Sequence, residues 1–70
     1  MSRWLRRQLA SEVVVHTIEE QSIRGWLEEE APDGLILRAA RFLDAGENPV
    51  PLAGETFIPR GRVAFVQVRP

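Results

Sequence analysis

The chain has no cysteine, no lysine and a single histidine, His16. Without cysteine there are no disulfides, no thiolate zinc sites and no cysteine nucleophile. One histidine excludes a cluster of imidazole ligands within one copy. No apolar run approaches the ~18–20 residues of a membrane span, and the basic start lacks the apolar stretch of a secretory signal. Cytoplasm, of a cell or of an infected host, is therefore the expected compartment, with no membrane partner. Phosphate-loop, dinucleotide-binding and metal-spacing motifs are absent, and His16 has no Ser or Cys arrangement to activate. The chain reads as a non-enzyme without metal or cofactor. It also lacks Pro-rich, Gly/Ser-rich and repeated segments, so residues 1–70 read as a single domain.

What is present is short: 70 residues, 44% hydrophobic and 27% charged, with a net charge of −1. A domain of this size buries only about 60% of its unfolded surface, and its core supplies roughly 3–5 kcal/mol. Disulfides and metals being excluded, self-association is the remaining source of stability. The charge is polarised. Residues 1–10 hold Arg3, Arg6 and Arg7 and no acid, residues 11–33 hold seven acids against Arg24, and residues 34–70 hold five arginines against three acids. Such polarity suits a positive face or head-to-tail contact between copies. That every base is arginine suits phosphate and interface contacts, and a GC-rich genome would produce the same bias.

Ser2 can cap a short helix from Arg3 to about Ala10, within an N-terminal segment 1–11. Trp4, Leu5 and Leu9 share a face that must dock, because two turns are not stable alone. From residue 12 the pattern is β. Glu12 to Ile18 holds a β-branched run, Val13-Val14-Val15. Ile23 to Glu30 alternates, with Ile23, Gly25 and Leu27 on one face and Arg24, Trp26 and Glu28 on the other. Gly25 inside a strand predicts a bend or a close backbone approach. A turn at Ala31-Pro32-Asp33-Gly34 precedes a third strand, Leu35 to Leu43. Asp44 to Gly54 reads as a loop. Thr56 to Pro59, a tight turn at Arg60-Gly61, and Val63 to Val68 complete five strands. The expected fold is mainly β: a short N-terminal helix, then a strongly bent five-stranded antiparallel SH3-like barrel over residues 12–70. Its last strand carries no charge to protect an edge, which favours pairing with a second copy and closure into a ring.

These residues resemble the Sm and Sm-like proteins. Val13, Val15, Gly25, Leu27, Glu30, Leu35 and Leu37 stand at the spacings of the family's first motif. The run Phe57-Ile58-Pro59-Arg60-Gly61-Arg62-Val63-Ala64-Phe65-Val66 is similar to its second. The resemblance implies the Sm-like fold, a homo-oligomeric ring of usually six or seven copies, and single-stranded RNA bound near the pore. It implies Glu30 as the acid of the RNA pocket and Arg60 as the arginine of the Arg-Gly turn. The base-stacking position falls on Pro32, which has no broad π face. The asparagine position falls on Gly34, which has no side chain.

The RNA-contact candidates are Arg60, Gly61, Arg62, Glu30 and Gly34, with Arg3, Arg6 and Arg7 on the helix. A solvated turn, or an ion pair with a neighbouring copy's acids, is the other reading of Arg60 and Arg62, and a solvated helix face that of Arg3, Arg6 and Arg7. The interface candidates are Phe57, Ile58, Val63, Phe65, Val66 and Val68. Glu28 and Glu30 would share a strand face as a solvated acidic end. His16 reads as a hydrogen-bonded strand residue, and Trp26 as a residue for exposure, interface or ligand contact. Two functions follow: a ring binding single-stranded RNA with weak sequence preference, or a structural or protein-interaction ring that has lost the RNA pocket.

Overall fold

A computed structural model describes residues 3–43 and 50–68. The Ser2 cap and the 44–49 part of the expected loop lie outside the described residues. Helix α1 covers Arg3–Arg6, followed by strands β1 Glu12–Thr17, β2 Ser22–Ala31, β3 Gly34–Phe42, β4 Val50–Pro51, β5 Glu55–Pro59 and β6 Val63–Val68. A single 3-10 turn, Arg60–Arg62, joins β5 to β6.

All pairings are antiparallel: β2 with β1 and β3, β6 with β1, and β4 and β5 with β3. β5 and β6 thus sit at opposite margins of the sheet, although only three residues separate them. Three residues reach about 10 Å, so the sheet must be rolled nearly closed. Two register shifts between β2 and β3, and one between β1 and β6, provide the bend. Gly25 stands at the first shift. A Cβ there would lie 3.1 Å from the Ala40 Cα and 3.2 Å from the Arg38 carbonyl oxygen. This is the close approach expected of a glycine inside a strand.

The expected alternation holds where it was clearest. Val13, Val15, Ile23, Leu27, Leu35, Leu37, Ala40 and Ile58 form the core, joined by Leu5 from α1. At roughly 25 cal/mol per Å² of apolar surface removed from water, burial of this set drives the roll-up.

Three expectations need correction. The helix ends at Arg6 rather than near Ala10. Beyond it the amides of Gln8, Leu9 and Ser11 reach back three residues, and the Ala10 N–H donates to the Leu27 carbonyl at 2.7 Å. Ala10 is left-handed (φ 69°); the chain gives up helical bonds to join β2. Secondly, only Leu5 of the helix face is buried; Trp4 and Leu9 stay about half exposed. Thirdly, the segment expected as a loop contributes β4, a sixth, two-residue strand. β5 covers β3 only as far as Arg38, so the backbone at Arg41 and Phe42 takes Pro51 and Val50 as partners. Pro51 is tolerated at such a margin because an edge strand need not donate outwards.

Candidate nucleic-acid interface

The β2–β3 turn and the β5–β6 turn meet at one end of the barrel. Gly34 pairs with Pro59, and the Arg60 N–H donates to the Asp33 carbonyl at 2.8 Å. Gly34 and Arg60, distant in sequence, are therefore brought together. Arg60 is exposed and makes no ion pair among the described residues.

Arg62 faces elsewhere. Its carbonyl accepts from the Ile18 N–H, and its Nη1 lies 2.9 Å from Glu19 Oε2. The 3-10 turn separates the two arginines, leaving Arg60 with the β2–β3 turn and Arg62 with the β1–β2 turn. Arg62 is thus ion-paired within its own chain, not with the acids of a neighbouring copy that its other reading supposed.

Glu30 and Arg6, two candidate RNA contacts, bind each other. Arg6 Nε donates to Glu30 Oε1 at 3.2 Å, and the Glu30 side chain is 4% exposed. Desolvation pushes the Glu30 carboxyl up, but hydrogen bonds and positive charge around it, Arg6's among them, outweigh this and hold it below the ordinary range. The pair clamps the helix to β2. Arg3 and Arg7 remain exposed, without ion pairs among the described residues.

Gly34 is buried, and the space beside it is filled. A Cβ would lie 2.4 Å from the Ile58 carbonyl oxygen and 2.7 Å from two ring carbons of Phe57. An aromatic ring laid across a neighbouring-strand glycine shields backbone that would otherwise face water. No asparagine-like side chain fits there while β5 keeps its place.

The acids of β2 do not keep the simple alternation expected of them. Opposite Leu37 and Ile36 of β3 stand Leu27 and Glu29, so Glu28 is the extra residue of a bulge. Glu28 and Glu29 are both exposed, while Glu30 turns to Arg6. Glu28 meets Glu55 instead: a hydrogen bond from the Glu55 carboxyl, with the charges of Glu28 and Glu29, pushes Glu55 up. No group of three metal-ligating side chains gathers among the described residues.

His16 is held on both ring nitrogens. Nδ1 lies 3.0 Å from Ser22 Oγ and Nε2 lies 2.6 Å from Gln67 Oε1. With Oε1 as acceptor, Nε2 carries the proton and the Ser22 hydroxyl donates to Nδ1. The ring stacks on Phe65 with centroids 4.3 Å apart. This is the hydrogen-bonded strand histidine the sequence suggests.

The interface candidates divide by burial. Ile58 is a core residue, so only its backbone is available to another copy. Val63, Val66 and Val68 are half-buried against the core, and Phe57 and Phe65 are exposed. Among the described residues the outer edges of β5 and β6 have no strand partner.

No family model matches the sequence, and no curated protein does. Solved structures do match. A heptameric archaeal Sm protein aligns over 99% of this chain and 100% of its own, at a TM-score of 0.87 and 23% identity. The P. aerophilum SmAP1 heptamer aligns over 96% of this chain and 89% of its own, at 0.85 and 24%. The chain has the Sm fold.

Proposed function

We propose that this protein is a ring-forming Sm-like protein, its copies joined β6 to β5, that binds single-stranded RNA with weak sequence preference. One observation carries the assembly. Among the described residues the outer edges of β5 and β6 are unpaired, and the valines of β6 are only half-covered by their own core. Pairing the two edges between copies satisfies backbone groups and completes burial, and a head-to-tail contact of this kind closes into a ring if its rotation permits. The heptamers formed by the two structural neighbours support this closure.

For RNA, the support is Arg60, exposed, fixed by its backbone to the β2–β3 turn and repeated in every copy. A ring of such guanidiniums contacts phosphate and carries no base code. Gly34, sealed under Phe57, supplies none either. Binding should therefore weaken steeply with salt, by about 0.7 log units per phosphate contact for each tenfold rise in salt. Oligo-U and oligo-A should differ by less than about tenfold. Arg60→Ala should weaken both alike. Titration of the two oligomers at two salt concentrations, with Arg60→Ala and a triple Arg3/Arg6/Arg7→Ala variant, tests this. A strong preference for U would contradict the weak-preference reading.

The second reading, a structural or protein-interaction ring, is favoured by the Arg6–Glu30 clamp and the filled space at Gly34. Absence of binding to either oligomer at low salt would select it.

A further inference from the structure

On the outer face of the sheet a half-exposed tryptophan stands between Arg38 of β3 and Glu12 of β1, its direct neighbours on the two flanking strands. Trp26 of β2 is 41% exposed. Directly opposite it on β3 is Arg38; two residues before it is Arg24, and directly opposite Arg24 is Arg41.

This grouping depends on a backbone irregularity. Arg38 and Arg41 are three apart, so in a regular strand they would point to opposite faces, one of them into the core. The register shifts between Arg24 and Trp26, where β3 spends one residue more than β2. Within that step Ala39 is left-handed (φ 51°) and Ala40 is buried. The bulge turns both arginines outward beside Trp26 while Leu37 and Ala40 stay in the core. Alanine adopts this conformation against its steric preference.

The arrangement is also unfavourable electrostatically. Like charges directly opposite across a strand pair destabilise it, yet Arg24 faces Arg41. Glu12 neutralises Arg24 at 3.0 Å, and Glu28 lies 4.0 Å from Arg38. Arg41 has no acid partner among the described residues. An exposed indole among three guanidiniums and two carboxylates, Glu12 and Glu28, with the Arg41 charge left over, complements a base beside a phosphate. We propose that the Trp26, Arg38 and Arg41 face is a second contact surface for single-stranded RNA, with a base stacked on Trp26 and a phosphate on Arg41. It extends the RNA reading given above, but the two surfaces share no residue and fail separately.

Trp4→Phe leaves Trp26 as the sole indole. In that background, titration with oligo-U and oligo-A should quench the indole fluorescence. Trp26→Ala, followed with an end-labelled oligomer, should weaken binding at least about fivefold, the low end for loss of one stacked base. Arg41→Ala should lower the salt slope by about 0.7, and Arg60→Ala should leave the Trp26 quench at saturation intact. All the substituted side chains are exposed, and unchanged circular dichroism checks the fold. Weakening by Arg60→Ala with no effect of Trp26→Ala or Arg41→Ala would overturn this surface and leave the Arg60 reading standing. The reverse pattern would overturn the Arg60 reading and leave this one. A quench that follows protein concentration without RNA, with doubling of the assembly's mass, would overturn RNA as the occupant in favour of a second copy.

Discussion

Three small residues set the shape of this molecule, and each makes a distinct prediction. Gly34 has no room for a Cβ, its nearest obstacle being the backbone oxygen of Ile58. Gly34→Ala should therefore displace β5 and cost about 1–3 kcal/mol or more. Gly25→Ala meets contacts of 3.1–3.2 Å at Ala40 and Arg38, so a smaller loss is expected. Ala39→Gly should act oppositely, because relief of the left-handed strain, about 1–2 kcal/mol, exceeds the backbone-entropy cost of glycine, about 0.5–1 kcal/mol. Urea midpoints of the three variants, compared at constant slope, check the order. The Gly25 constraint was legible because glycine weakens a strand interior and so marks a place where another backbone comes close. That of Ala39 was not: alanine carries no mark of a bulge, and the bend there emerges only when β3 is registered against β2.

At the scale of elements, strands were easier to read than the helix. Val13 to Val15 and the uncharged run from Val63 to Val68 can do little but form strands. Helix α1 is shorter than its sequence spacing suggests because the Ala10 amide prefers a sheet partner, a tertiary choice invisible locally. The same limit applied to Glu30. Its spacing placed it in the motif, but its Arg6 partner is known only once the helix has folded back on β2. This clamp should make stability depend on pH. The Glu30 carboxyl is held below its ordinary value, so its contribution is present at neutral pH and is lost as pH falls through the lowered value. Glu55 is held above its ordinary value, so its protonation favours the fold as pH falls. Glu30→Gln should therefore reduce the loss of stability on acidification, and Glu55→Gln should increase it. Denaturant melts at neutral and mildly acidic pH would show the two variants diverging from the parent in opposite senses.

For the whole molecule, the decisive feature is an almost closed sheet whose margins at β5 and β6 have no strand partner among the described residues. A core of nine residues among those described leaves little stability in reserve, and in the proposed ring the half-covered valines of β6 would add to it. Phe65 is exposed on that strand, so Phe65→Arg leaves the monomer core untouched and should split the assembly into a marginal monomer. The most direct measurement is the native mass of the unmodified protein at micromolar concentration, by mass spectrometry or light scattering. A ring like those of the two heptameric neighbours should give one discrete species at about seven times the 7.9 kDa chain mass, collapsing to a single chain in Phe65→Arg. A stable, well-folded monomer of the natural sequence would contradict the ring.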